Sequence, residues 1–325
     1  MLFSPGNAVF EDNLSSYNYA GSGAGGSLRG GAMRVVNNKF VNNTTPSPGG
    51  FGCLLVENCN AQIINNLIAN NTANGIYCKN SSPLILNNTI VNNNHDFASG
   101  IVFDYNSDAN VKNCIIYGNY ANNSSYGHQI VLIQSDCDPF FDHCDIEEGL
   151  DGFGGPGSGS NYNTANYTNN IDSNPVFVDP SAGVGATYDG LAADWSLQSN
   201  SPCIDAGDTT GIFDLLPDLD LAGNPRVVDQ VDMGAYESSC SVPNQPSVIV
   251  GEINPCENLS ETYSVTNVTG VSYAWIVPTG WSIQSGQGTN SINVTVGNSS
   301  GNVSVTPSNE CGNGPVRTLA VTVNT

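Results

Sequence analysis

Residues 83–94 read PLILNNTIVNNN, five aliphatic side chains and five asparagines with one proline and one threonine. So many amides beside a hydrophobic pattern need a structural reason, and recurrence supplies the first clue. The spacing apolar, any residue, Asn, two residues, apolar, two residues, Asn is met by Ile85, Asn87, Ile90 and Asn93, and again by Ile63, Asn65, Ile68 and Asn71. Val111, Asn113, Ile116 and Asn119 repeat it, as do Val35, Asn37, Phe40 and Asn43. Poorer copies flank these at Asn7, Phe10, Asn13 and at Phe141, His143, Ile146, so the steps from Asn7 to His143 are 30, 28, 22, 26 and 30 residues.

A unit of this length, alternating at period two and free of any helical stripe, predicts an all-β parallel solenoid in which each coil pairs with the next. Asparagine suits the corners: it tolerates the left-handed backbone region, its amide binds neighbouring backbone groups, and it can donate along the axis to its copy one coil away. Gly52, Gly75 and Gly100 each open a further strand. Counting from them puts Cys53, Ile76 and Ile101 inward and Leu54, Tyr77 and Val102 outward, with Val131 and Ile133 inward and Leu132 outward in the next coil. The outward column Leu54, Tyr77, Val102, Leu132 is then an apolar ladder, expected to bind the face of a neutral sugar or to be covered by residues 149–170.

Lys plus Arg number 7 against 29 Asp plus Glu, for a formal net charge of −22. Nucleic acid, anionic membrane surfaces and acidic polysaccharides are therefore poor partners, whereas cations, neutral sugars and basic protein patches fit. No apolar run approaches the ~20 residues of a membrane helix, so membrane insertion is not expected. The start, MLFSPGNAVFEDN, lacks the charged and apolar regions of a leader, and the first motif already begins at Asn7. The chain is accordingly expected to be part of a longer exported polypeptide. Ten cysteines without a Cys-x-x-Cys pair suit an oxidising compartment better than a zinc ribbon. Cys114 and Cys144 occupy one column in neighbouring coils, at a spacing that a disulfide spans, and are expected either to bridge or to stack as free thiols.

After Gly149 the rhythm breaks into a Gly- and Ser-rich loop, followed by NIDSNPVFVDP (170–180), DWSLQSNSPCIDAGD (194–208) and DLDLAGNPRVVDQVDMGAYE (218–237). These stretches, in this order, resemble the closing region of bacterial right-handed parallel β-helix proteins of the pectin-lyase-like superfamily. The resemblance implies a right-handed helix over residues 1–237 and an extracellular or cell-surface bacterial protein. It implies no single activity, because that superfamily holds lyases, hydrolases, epimerases and proteins without known chemistry. Residues 248–325 instead alternate at period two between frequent Pro, Gly and Asn, as in SYAWIVP and SINVTVG, which predicts an antiparallel β-sandwich. This part resembles PKD-like, immunoglobulin-type modules, with Cys256 and Cys311 expected to pair, residues 238–247 as linker, and Cys240 free to tie back to Cys203.

Lyases of the superfamily remove a sugar proton with Lys or Arg, usually beside Ca²⁺, and hydrolases use paired carboxylates. Lys79 and Asp104 fall across one rung from each other, as base and ligand or as a plain surface ion pair. His95 and His128, in corners of adjacent coils, are weaker catalytic candidates. Seven aspartates crowd residues 205–232. Of these, Asp205, Asp208, Asp218, Asp220 and Asp232 are expected calcium ligands, with turn capping as the alternative. The sequence thus predicts a surface adhesion module that binds a glycan or a surface protein without catalysis. The alternative is a polysaccharide lyase or glycoside hydrolase acting from the outer sheet.

Overall fold

The computed structural model describes residues 8–46, 50–122, 127–238, 242–309 and 311–324. The chain divides into two compact units, Met1–Ser239 and Cys240–Thr325.

In the first unit three parallel sheets form the faces of a solenoid. A representative coil runs through Leu54–Glu57 on face 1, Gln62–Ile64 on face 2 and Leu67–Ala69 on face 3, then re-enters face 1 at Ile76–Lys79. Ile63 pairs with Ile85 and Ile85 with Val111, so equivalent residues form columns along one axis. The interior is a continuous stack of such columns, including Val35, Ile63, Ile85, Val111 and Phe141, all without solvent exposure. A parallel sheet with both faces covered reads as near-continuous apolar runs, which is why the strands here are short and aliphatic on either side.

The asparagine pairs divide the work of the corner. In the turn from face 2 to face 3 the first member takes the left-handed conformation, at Asn37, Asn65, Asn87 and Asn113, with Asp12, His143 and Asn169 in the same role at the ends of the stack. In most L-residues that conformation costs about 1–2 kcal/mol, and Asn is among the few that adopt it routinely. The second member points inward and joins coil to coil. Asn66 donates to the carbonyls of Val35 and Ile64 at 3.0 Å and to Asn88 Oδ1 at 2.9 Å, while its own Oδ1 accepts the Asn38 backbone N–H at 2.9 Å.

This ladder gives the true coil lengths. From Asn13 through Asn38, Asn66, Asn88, Cys114 and Cys144 to Asn170 the steps are 25, 28, 22, 26, 30 and 26 residues. Asn13 therefore stands in line with Asn38, five residues from the place the sequence motif assigned it, and Asn7 lies outside the described residues. Residues 149–170 do not cover the outer ladder. They form a further coil, in which Phe153–Gly154 pairs with face 1 and Tyr167–Thr168 with face 2, and Phe153, Tyr162 and Tyr167 pack together on the end of the core.

The expected outward column also needs correction. Leu54 and Leu132 are fully buried in the interior. Gly52 takes a positive φ of 57° and delays its strand by one residue, so Leu54, rather than Cys53, pairs with Ile76. The outer column is Leu55, Tyr77, Val102 and Val131, and it too is buried, with Phe51 stacked 4.7 Å from the Tyr77 ring and Ala98 packed alongside. The proposed disulfides are also absent: Cys114, Cys144, Cys203 and Cys256 are free thiols. Cys114 and Cys144 stack as the asparagines do, each Sγ accepting the backbone N–H of the coil before. Side chains parallel in this way do not converge as a disulfide requires. Cys240, the suggested partner of Cys203, lies outside the described residues.

Residues 171–237 return along the solenoid as a strap. Phe177, Trp195, Leu197, Met233 and Tyr236 cover the outer side of face 3 at Val41, Leu67, Val91 and Ile115. Ile212 covers Val36, Ile64 and Leu86 on face 2. The left-handed asparagines of the second corner hold the strap in place. Asn70 donates to the Gly183 carbonyl at 2.9 Å and accepts from Ser181, Asn92 donates to Ser181 Oγ at 3.0 Å, and Asn42 accepts the Gly190 N–H at 3.1 Å. At the end of the strap the family-like stretch folds on itself around Arg226, fully buried against Glu237 and the carbonyls of Asp232 and Gly234.

The second unit is a two-sheet sandwich. One sheet orders Ser260–Ser264, Ser291–Thr295 and Ser282–Ser285, and the other is built on Ser272–Ile276, Gly301–Asn309 and Arg317–Val321. Alternation along SYAWI buries Tyr273 and Trp275, which meet Tyr263, Ile292, Val294 and Val303 in the core.

Candidate functional site

An open cleft of about 560 Å³ lies on the flank of the solenoid where three segments meet. The corner after Ile115–Tyr117 brings Tyr120, the approach to Ile130–Leu132 brings His128 and Gln129, and the corner after Asp145–Ile146 brings Glu147 and Glu148. The strap supplies Gly183 and Tyr188. The column of strap-holding asparagines explains the location. At Asn42, Asn70 and Asn92 this column grips the strap, but in the next two coils the same left-handed position holds Gly118 and Glu148. Without an amide there to clasp the strap, a groove opens.

Within the groove the carboxyl of Glu147 is held in a fixed direction. Its Oε2 accepts the Gly118 N–H at 2.8 Å and the Gln129 amide at 2.6 Å, and Oε1 has no partner among the described residues. Burial raises the Glu147 pKa above the usual carboxylate range, opposed by the Gly118 N–H and reinforced by the charges of Glu148 and Asp172. Gln129 is itself fixed by Asn119, whose side-chain amide donates to it at 2.8 Å and whose carbonyl accepts from it at 3.1 Å. Tyr120 is 50% exposed and Tyr188 43% exposed, so both rings are open to a ligand. Tyr188 packs so closely on Gly183 that a Cβ there would come within 2.5 Å of the ring. His128 lies 5.2 Å from the Tyr120 ring and accepts the Ala121 N–H through Nδ1, which leaves Nε2 to donate.

A family model for the right-handed β-helix region matches residues 1–131, and a second model, for a PKD-like domain, matches residues 242–321. The chain carries a right-handed β-helix region followed by a PKD-like module. A comparison with curated proteins finds no match. The two modules together fit a carbohydrate-associated or surface protein.

Of the candidate site residues named from the sequence of this β-helix protein, His128 alone lines the cleft. Lys79 and Asp104 do pair across adjacent coils in the backbone register, but their side chains part. Lys79 turns to Glu57 at 3.2 Å, and Glu57 also holds Arg29 at 3.1 Å. Asp104 instead accepts the Tyr77 hydroxyl at 2.8 Å. His95 is buried and its pKa is lowered by that burial, so it sits in its corner as a neutral ring. The aspartates serve the strap. Asp220 accepts N–H groups of Ala222, Asn224 and Glu237, Asp232 those of Asp205 and Ser238, and Asp205 that of Gln230. The Asp218 carbonyl accepts from Arg226.

Asp208 belongs to the one trio of metal-ligand side chains that come close together among the described residues, Asp142, His143 and Asp208, whose ligand atoms lie within 4.8 Å. Lys112 Nζ already stands between the two carboxylates, 3.3 Å from Asp142 and 2.5 Å from Asp208, and supplies the positive charge there. Glu147, Glu148, Tyr120 and Tyr188 went unnoticed in the sequence. The available signal was the loss of the Asn-Asn pair at Gly118-Asn119 and again at Glu148-Gly149.

Proposed function

We propose that this is an extracellular or cell-surface bacterial module that binds a glycan without chemical change, with the PKD-like unit as a spacer. The observation that supports this reading is the groove itself: two half-exposed tyrosines beside a carboxyl pre-set by Gly118 and Gln129. A pyranose offers an apolar face to an aromatic ring and hydroxyls to fixed polar groups, and such a site needs little reorganisation on binding. Catalysis from the outer sheet has less support, since Lys79 is ion-paired to Glu57 and the apolar column beside it is covered. A hydrolase reading draws on one other feature, the raised pKa of Glu147, which suits a general acid.

The test is incubation of the full chain with a panel of neutral, acidic and amino glycans, followed by both binding and product analysis. Binding that is weakened at least about tenfold by Tyr120→Ala or Tyr188→Ala, with no new reducing ends or unsaturated products, is the expected result. New reducing ends abolished by Glu147→Gln would replace the binding module with a hydrolase. Absence of any glycan binding would remove both.

A further inference from the structure

We propose that the ligand of this cleft is an amino sugar, with the ammonium of a glucosamine-type residue held by Glu147 and Glu148 and its pyranose ring against Tyr120 or Tyr188. The inference rests on the glycan-binding reading and adds the chemical class of the ligand.

The charge inventory of the groove supports it. Glu147 and Glu148 both line the space, and Asp172 stands close behind, its carboxylate accepting the Glu148 N–H at 3.0 Å. Among the described residues no Lys or Arg lines the groove, and His128, which does, is engaged at Nδ1 by the Ala121 N–H. The ion pairs of the described residues lie elsewhere, at Arg29, Lys79, Lys112, His143 and Arg226. Two glutamates lining one cavity with no Lys or Arg beside them repel each other, and a ligand that brings a positive charge relieves that repulsion. A uronic acid would add to the repulsion, and a neutral hexose would leave it unchanged. The free Oε1 of Glu147 is oriented to accept from such a group, because the donors on Oε2 prevent the carboxyl from rotating.

The rings add a second, independent feature. Tyrosine faces attract cations as well as sugar C–H groups, so one residue type serves both parts of an amino sugar. Glu148 occupies a left-handed corner, φ 66°, where the three preceding coils use Asn, Asn and Gly. Placing Glu there costs backbone energy that an Asn would largely avoid. The volume of about 560 Å³ lies within the roughly 300–1,000 Å³ typical of small-ligand sites.

The experiment is calorimetric titration of the full chain, near neutral pH and about 0.15 M salt, with four probes of matched length. These are a glucosamine tetramer, an N-acetylglucosamine tetramer, a glucose tetramer and a tetralysine peptide. We expect the glucosamine tetramer to bind at least about tenfold more tightly than either neutral sugar, and that preference to be lost in Glu147→Gln and Glu148→Gln. Glutamine still accepts hydrogen bonds, and each variant removes one of 29 acidic groups. A preference that survives in both variants therefore reports only diffuse attraction to an acidic protein, and overturns the proposal. Equal binding of charged and neutral tetramers overturns it too, while leaving the glycan-binding reading intact. Tetralysine binding as tightly as glucosamine overturns the sugar assignment. No binding by any sugar removes the underlying reading as well.

Discussion

Asn70 and Asn71 are neighbours in sequence and chemically identical, yet they are bound to different parts of the molecule. Asn71 turns inward, donates to the Phe40 carbonyl at 2.9 Å and to Asn93 Oδ1 at 2.8 Å, and stitches three coils together. Asn70 takes the left-handed bend and turns outward to hold Gly183 and Ser181 of the strap. The inner column links each coil to the next, and where its amides give way, at Cys114 and Cys144, the thiols still accept the N–H of the coil before. The outer column can be lost locally, and where it is lost, at Gly118 and Glu148, the strap lifts away and leaves the cleft. One amino acid thus carries a structural constant and a functional variable in alternate positions.

The most demanding test of this contrast is Asn66→Ala. It would leave the Asn38 N–H and the Val35 and Ile64 carbonyls without their amide partner in a fully buried setting. The Ile64 carbonyl keeps the Asn37 N–H, so the Asn38 N–H and the Val35 carbonyl, at about 1–3 kcal/mol each, set an expected loss of about 4 kcal/mol in urea denaturation of the helical unit. A loss below about 1 kcal/mol would mean that the ladder is ornament rather than scaffold.

Next in size is Arg226→Met, which removes the only cation of the strap's buried end. Glu237 would keep its backbone donors from Val228 and Asp232 but lose its ion pair. Removing one partner of a buried pair costs about 3 kcal/mol or more. The urea midpoint should fall, and limited proteolysis should cut the strap before it cuts the coils. Simultaneous cleavage of both would show that strap and stack unfold as one.

The outer column should respond less, and in a way that separates its two tasks. Asn70→Gly keeps the left-handed bend and loses only the strap contacts, for about 1 kcal/mol. Asn70→Ala adds the backbone penalty, bringing the loss to about 2–3 kcal/mol. Equal effects from the two variants would mean that the bend at Asn70 carries no cost.

These contrasts also mark what could be read from the sequence. The solenoid was legible because a coil must bend at every turn and an inward amide must meet its copy, so the pattern Ile85, Asn87, Ile90, Asn93 recurs with its chemistry intact. The phase of face 1 was not, because one residue added at Gly52 moves every side chain of that strand to the opposite side. The first coil was misplaced for a related reason: Asp12 and Tyr17 take the left-handed corners without being asparagines. The cleft was hidden because its parts come from Tyr120, Gln129, Glu147 and Tyr188, which no local spacing connects. Its location was nonetheless written as a gap in the outer column.

Stability against pH offers a milder probe of the boundary between coil and strap. Burial raises the pKa of Asp145, on the last strand of face 3, to about 6, and that of Asp232, in the strap, to about 6. A carboxyl whose pKa is higher folded than unfolded binds its proton more tightly in the folded state. Its contribution is therefore fully present below the unfolded value, near 4, and lost as pH rises through about 6. The melting temperature of the helical unit should drop by a few degrees between mildly acid and neutral pH. Asp145→Asn should flatten that slope, since the amide has no proton to lose in this range. A profile that rises instead would mean that these carboxyls are ionised in the fold.

The smallest expected effect concerns calcium, for which the crowded aspartates of residues 205–232 first suggested a role. Ca²⁺ gathers about 6–8 oxygens, and to bind here it would have to take them from groups already engaged. Both oxygens of Asp220 accept N–H groups, as do both of Asp232, and Lys112 occupies the space between Asp142 and Asp208. These acids therefore resemble the inner asparagines more than a metal cage, because each pins strap backbone that would otherwise lack a partner. Melting with calcium and with chelator should agree within about 1 °C, whereas a bound ion at a hundred times its dissociation constant would add about 2.7 kcal/mol. A shift of that size would show that the strap aspartates exchange their backbone donors for a cation, and would move them from the scaffold to the functional side of the comparison.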